Sequence, residues 1–363
     1  MQADSLRDKF LGAAMGLCVG EALGAQFETM TASVINMKLG DENVQMTGDK
    51  RRRLDKGEWT DDAGQFIAVM NSFNVCYGYD PVDIAGSLGG WIKHKPKRVG
   101  MHTGELVREI RENLDLHHTL GRENWIQSGG VKAGNGSLAR CLVPGLFYHF
   151  DLELMIRSSI GTSQITHFDP RVVETALVLN FLLIQCLNNR FQPESLEHAI
   201  SFLESIRLSQ IYTEYVLRFE PTQLASYTNF TPFLSYQANK DAVPAALAEM
   251  KALKLRDLHN TGFCVHTLQV VCYALIHAQS YEEGISMIAK LGGDSDTNGA
   301  VGGCLLGAQY GLSGIPSEWR SDLNKSYLIA SQSEKLLNSS MQTEEREYQE
   351  GIQKPYSTPP TKL

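Results

Sequence analysis

The sequence predicts an all-α protein folded as one domain, on three observations. Apolar residues recur at helical spacing along most of the chain. No segment reads as a convincing alternating strand. Glycine recurs every fourth residue in two stretches, Gly12, Gly16, Gly20 and Gly24, and Gly299, Gly303, Gly307 and Gly311. Four residues turn a helix through about 400°, so each set draws one slowly drifting stripe of bare backbone. Mid-helix glycine costs about 0.5–1 kcal/mol against alanine. A stripe of four needs a compensating reason, and close packing of these two helices, against each other, is the expected one.

The remaining elements follow in order. Phe10 to Gly20 is apolar enough to resemble a signal-peptide core, but Asp4 and Asp8 precede it, Glu21 ends it and no clean A-x-A site follows. It is read as part of the domain. After Asp62, Ala63, Phe66, Ile67, Met70 and Phe73 keep helical spacing. Asp80-Pro81 reads as an N-cap followed by proline at the first helical position. Val172–Cys186 and Phe263–Ile276 are apolar nearly all round, and read as buried central helices too short to span a bilayer. Ser280 with Glu283 suggests a capping box for a helix ending at Leu291. From about Leu208 to Leu258 aromatic and polar residues mix, as in a surface lobe or a partner-specific element. One domain is expected over residues 1–337. Residues 338–363 are polar and read as a disordered tail.

Composition narrows the function. The 363 residues carry 33 Lys and Arg against 41 Asp and Glu, a net charge of −8. A general nucleic-acid binder would show a basic footprint instead. No membrane-spanning run is apparent, and a monomer is expected. The seven cysteines are scattered, without CxxC pairs or zinc spacing. Reduced, buried thiols and a cytoplasmic location are the expectation.

Two acidic clusters carry the chemical signal: Glu58-Trp59-Thr60-Asp61-Asp62 and Gly292-Gly293-Asp294-Ser295-Asp296-Thr297. Each stands where a loop enters a helix. Asp and Thr there can simply cap the helix and complement its dipole. Capping needs one side chain, however, and each helix start offers three oxygen donors. Four aspartates brought together would repel without a cation. All-oxygen donors suit magnesium, manganese or calcium, and two bridged ions are a natural arrangement. Asp294-Ser295-Asp296 alone also fits a nucleotide-sugar glycosyltransferase, which would leave Thr60-Asp61-Asp62 unexplained.

Gly134-Asn135-Gly136-Ser137, ahead of a helix, is either an ordinary turn or a loop presenting amides to a phosphate. Thr166-His167 precedes a buried helix, where a lone histidine is usually structural. The basic runs Lys50–Arg53 and Lys93–Arg98 read as solvated surface, or as steering for an anionic substrate. No P-loop, G-x-S-x-G or G-x-G-x-x-G occurs.

The order of these motifs resembles the ADP-ribosylglycohydrolase family. Glu21 and Glu28 come first, then Thr60-Asp61-Asp62, Gly134-Asn135-Gly136-Ser137-Leu138-Ala139-Arg140, Thr166-His167, Thr261-Gly262-Phe263 and Gly293-Asp294-Ser295-Asp296-Thr297. The resemblance spans residues 7 to 320. It implies an orthogonal multi-helix bundle with a central binuclear metal cleft holding two magnesium ions, or manganese. Thr60, Asp61, Asp62, Asp294, Asp296 and Thr297 would be the ligands. Gly134, Asn135, Gly136 and Ser137 would hold a diphosphate, with His167 and Phe263 lining the same cleft, Phe263 near the adenine. Asp61, Asp62, Glu28 and Asp296 would serve catalysis. The family's common Gly-Asp-Ala-Leu-Gly reads Gly-Glu21-Ala-Leu-Gly here, and His266 stands where many members carry an acid.

The implied activity is release of mono-ADP-ribose from a modified protein, arginine-linked first, by attack of a metal-associated water on the anomeric carbon of the distal ribose. An immunity protein that also binds an ADP-ribosyltransferase toxin is the alternative. An ADP-ribose-binding module without turnover is another.

Overall fold

The two glycine stripes pack against each other, backbone to backbone. The computed structural model describes residues 2–40, 43–206 and 241–349. In chain order the helices are α1 (Gln2–Gly24), α2 (Ala32–Leu39), α3 (Asp61–Cys76), α4 (Pro81–Lys93), α5 (Met101–Glu112), α6 (Leu120–Gln127), α7 (Leu142–Phe147) and α8 (Leu152–Gln164). They continue with α9 (Pro170–Leu187), α10 (Ser195–Ser205), α11 (Ala242–Glu249), α12 (Cys264–His277), α13 (Tyr281–Lys290), α14 (Ser295–Tyr310), α15 (Ser317–Asp322) and α16 (Ser326–Gln349). Among the described residues there are isolated β-bridges but no strand.

Helices α1 and α14 run antiparallel at the centre. A Cβ added to Gly12, Gly16 or Gly20 would lie under 3.0 Å from the carbonyl oxygen of Gly307, Gly303 or Gly299, and one on Gly24 would meet that of Ser295. The register is therefore set residue by residue: 12 with 307, 16 with 303, 20 with 299, 24 with 295. Gly311 has another job. It ends α14 at φ 76°, its amide donating to Gly307 O. Both central helices are buried on nearly every side, since the other helices close over the faces that the stripes leave.

The polarity-based expectations hold at several helix starts. Asp80 accepts the amides of Val82 and Asp83 at 2.9 Å and Pro81 opens α4. Ser280 caps α13 through the Glu283 amide at 3.1 Å. Glu283 reaches back to the amide of Gln279 rather than that of Ser280, one residue beyond a standard capping box. Helices α9 and α12 are buried as expected. By length and mean hydropathy α9 passes for a membrane span, contrary to the expectation that no such run exists, but 83% of it is buried within the protein.

One boundary differs from expectation. Helix α16 runs to Gln349, so residues 338–349 are an ordered helix and not tail. Its buried side is built from small hydroxyl residues that composition reads as polar. Ser339, Ser340 and Thr343 are buried, and Ser340 donates to Phe147 O at 2.5 Å while Thr343 donates back to Ser339 O at 2.9 Å. Residues 350–363 of the expected tail lie outside the described residues, as do 207–240 of the expected lobe. The rest of that lobe is packed in part, with Val243, Ala246 and Leu247 of α11 buried.

The stripe makes a direct prediction. Gly20→Ala should destabilise the fold by about 3 kcal/mol or more, because the clash is with backbone that cannot rotate away. Gly86→Ala, on a face of α4 with nothing within 4 Å of the new Cβ, should stabilise by roughly 0.5–1 kcal/mol. Urea midpoints of the two variants against the wild type test this, and equal midpoints would show that the helices can part without cost.

Candidate metal and active site

The first turns of α3 and α14 hold the two acidic clusters, and in neither does the N-cap side chain cap its own helix. Thr60 Oγ1 instead donates to Glu21 Oε1 at 2.8 Å. The Glu21 carboxylate, wholly buried on α1, accepts the amides of Asp62 at 2.9 Å and Ala63 at 3.1 Å. A glutamate from another helix therefore caps α3 and frees Asp61 and Asp62 from that duty. This is the structural role of the residue at which the chain departs from the common motif. At α14, Asp294 Oδ2 accepts from Asn135 Nδ2 at 2.6 Å, and Asp296 Oδ1 accepts the Thr297 amide at 2.9 Å.

The clusters converge. Burial raises the Asp62 carboxyl well above its ordinary range, and the charges of Asp61, Glu21 and Asp296 raise it further, against a bond from Thr297. Burial likewise pushes Asp296 up, helped by Asp294 and Glu28, and it raises Asp294. Asp61 is pushed up to about 7, by burial first and then by Glu21. Carboxyl oxygens of Glu21, Asp61 and Asp62 come within 4.8 Å of one another. Because both Glu21 oxygens already accept hydrogen bonds, Asp61 and Asp62 are the freer donors of the three. Buried, mutually repelling oxygen donors of this kind fit a hard divalent cation.

The loops beneath are locked. Gly292 and Gly293 lie at φ 68° and 61°, and a Cβ on either would strike the carbonyl of Met30 or Asn260. Thr29 N donates to Gly293 O at 2.6 Å and Gly293 N to Met30 O at 2.8 Å, which ties the Glu28 loop to the second cluster. Asn260 was not legible as a site residue. Its carbonyl takes the Asp294 amide at 3.0 Å and its side chain bonds Gly292 O.

The basic runs are not merely solvated. Arg52 and Arg98, one from each run, both bind the Glu28 carboxylate, Arg52 at 2.7 Å. Lys97 pairs with Glu58 at 2.8 Å. Charge density in the sequence signalled these residues, but their convergence on one glutamate depends on the fold.

The glycine loop lies alongside. Asn135 N donates to Gly262 O at 2.9 Å and Cys264 N to Ala133 O at 3.1 Å, which joins the loop to the start of α12. The Asn135 side chain bridges Asp294 and Thr267 Oγ1, so it serves the acidic cluster and not a ligand's phosphate. Ser137 is fully buried with its hydroxyl 3.1 Å from Ser163 Oγ, so its side chain is engaged within the protein. Among the described residues the amides of Gly136 and Ser137 have no protein acceptor. His167 is buried behind the loop, and burial, then His102 and Arg140, hold its pKa well below the usual range. Phe263 is half-buried, edge-on to His266 at 5.0 Å, with the Arg171 guanidinium 5.7 Å from its ring centre.

An all-helical fold with a buried cluster of acidic oxygen donors beside a glycine loop defines a narrow class of protein. Residues 2–347 match the family model described as ADP-ribosylglycohydrolase, and the chain belongs to that family. It is thus an enzyme, a hydrolase of glycosyl bonds. It is 28% identical over 327 residues to an ADP-ribosyl-[dinitrogen reductase] glycohydrolase of Rhodospirillum rubrum, covering 89% of this chain and 93% of that protein. It is 24% identical over 347 residues to ADP-ribosylarginine hydrolase Tri1 of Pseudomonas putida (strain GB-1), covering 93% and 80%. A solved structure titled as an ADP-ribosylglycohydrolase-related protein complex superposes with a TM-score of 0.65 at 27% identity, covering 93% of this chain and all of that one.

A pH prediction follows from the raised carboxyls. The folded state keeps protons that the unfolded chain releases above about pH 4. Stability of the metal-free protein should therefore fall as pH rises from about 4 through about 7, where Asp61 gives up its proton. Thermal unfolding in chelator should give a lower Tm at about pH 8 than at about pH 5, and magnesium should raise Tm more at the higher pH. A Tm indifferent to magnesium at both would argue against a cation at this cluster.

Proposed function

We propose that the protein hydrolyses the bond between an arginine side chain of a modified protein and the distal ribose of mono-ADP-ribose. The observation that carries this reading is the convergence of both acidic clusters beside the amides of Gly136 and Ser137, with Asn135 bridging loop and cluster. One substrate can then place its ribose at the acids and its diphosphate at the amides. The arginine linkage is favoured by the relatives named for it.

Thr60, Asp61, Asp62, Asp294, Asp296 and Thr297 would hold two magnesium ions, with manganese the alternative. Bound there, hard cations would orient the ribose hydroxyls and make water more acidic. The chain's own groups do the rest. Asp61 keeps part of its surface open among the acids, which suits a proton acceptor for the attacking water. Asp62 and Asp296 face the developing positive charge at the anomeric carbon. Arg52 and Arg98 hold Glu28 at the edge of the cleft, where it can help move a proton. The C–N bond to arginine breaks, the guanidine leaves with a proton, and ADP-ribose is released. We place the reaction in the cytosol, which the seven unpaired cysteines support.

Release of free ADP-ribose from arginine-linked mono-ADP-ribosylated protein, with magnesium present, tests the proposal. Wild-type protein should release it, and Asp294→Ala should lose at least about 10²-fold in rate. If the wild type releases none but binds an ADP-ribosyltransferase, and Asp294→Ala still binds it, neutralisation by binding replaces hydrolysis as the function.

A further inference from the structure

We propose that Arg140 and Thr166 set the tautomer of His167, so that its Nε2–H is presented to the anion held by the Gly134–Ser137 loop. Arg140 is fully buried, and no carboxylate pairs with it among the described residues. Its Nη1 donates to Gln65 Oε1 at 2.6 Å and its Nη2 to Thr166 Oγ1 at 2.6 Å. Guanidinium has no acceptor, so Thr166 Oγ1 must accept here. The same oxygen lies 2.7 Å from His167 Nδ1. Thr166 is buried and its hydroxyl meets no other acceptor among the described residues. Its one proton is satisfied only if it is donated to Nδ1, which must then be bare. A neutral imidazole bare at Nδ1 carries its proton on Nε2.

That proton points somewhere useful. A Cβ on Gly136 would lie 3.4 Å from His167 Nε2, and one on Gly134 3.8 Å from it. Nε2 therefore stands over the bare backbone of the loop, beside the unpartnered amides of Gly136 and Ser137, and has no protein acceptor of its own among the described residues. The ring is fixed from a second side. His102 packs edge-on at 4.8 Å and 90°, and is itself held by Nε2–H donating to Thr166 O at 3.0 Å. Thr166 thus orients one histidine through its hydroxyl and the other through its carbonyl. Arg140 and Thr166 are positioning residues: they never meet the ligand, and they make His167 a donor there and not an acceptor that would repel it. The target anion rests on the loop's proposed role in binding a diphosphate.

The test is a long-range ¹H–¹⁵N correlation on ¹⁵N-histidine-labelled full-length protein without ligand, with His167 assigned by loss of its signals in His167→Gln. In the wild type Nδ1 should be unprotonated and Nε2 protonated. Thr166→Val removes the donor to Nδ1 and should shift His167 toward the Nδ1–H form, while Thr166→Ser should restore the wild-type pattern. ADP-ribose affinity should follow, falling about ten-fold or more in Thr166→Val and recovering in Thr166→Ser. A proton on Nδ1 in the wild type overturns the assignment whatever the variants do, as does an unchanged tautomer in folded Thr166→Val. Titration of ADP-ribose into the wild type separates the two readings. No binding there overturns the loop's proposed role, whereas binding by a wild type carrying Nδ1–H overturns the wiring alone.

Discussion

The backbone contact between α1 and α14 is the constraint on which everything else depends. Side chains usually hold helices about 8–10 Å apart. Here four glycines on one helix and three glycines and a serine on the other remove that spacer, and the peptide planes of the two meet directly. Such a contact admits one register only, because a shift by one residue drives a Cβ into a carbonyl. Its cost in helix propensity is offset by dense packing at the centre of the molecule.

That register carries the site. Glu21 follows Gly20 on α1, and Ser295 and Asp296 begin α14 opposite Gly24. Seating the stripes therefore brings Glu21 to the start of α3 and the second acidic cluster to the same place in one step. Glu21 then caps α3 from outside, which frees the Asp61 and Asp62 carboxylates from capping. The loop glycines at 292 and 293 complete the arrangement by pressing the Asp294 loop onto Met30 and Asn260. The acidic residues are costly together, and their raised pKa values record that cost. Asp296 sits on the rigid helix pair itself, and Asp62 is tied to that pair through the Glu21 carboxylate at its amide, so the two have no way to separate.

Much of this was legible in the sequence because it rests on local pattern. A four-residue glycine period has one helical meaning, buried helices betray themselves by apolar residues on every side, and Asp80-Pro81 is a start signal in itself. The acidic clusters were visible because three oxygen donors exceed what a cap requires. What stayed hidden was set by tertiary partners. Ser339, Ser340 and Thr343 look like a solvated tail until their hydroxyls find carbonyls. Asn135 and Ser137 sit in a motif that suggests ligand contact, yet their side chains serve Asp294 and Ser163. Arg52 and Arg98 look like surface charge until the fold brings both to Glu28. Arg140 closes a run of small and apolar residues, and nothing local says that it is buried with Gln65 and Thr166 as partners.

The pairing of the stripes also has a temporal side. Gly20 and Gly299 are far apart in the chain, so on the ribosome α1 must wait for its partner until the long stretch between them has been made. Through that interval its bare glycine backbone has no native cover, and contacts of such long sequence separation form slowly. The acidic cleft cannot exist before then, since half of it arrives with α14. A nascent chain of this protein thus lacks half of the acidic cluster until α14 has emerged, and apolar surface exposed in the meantime favours aggregation.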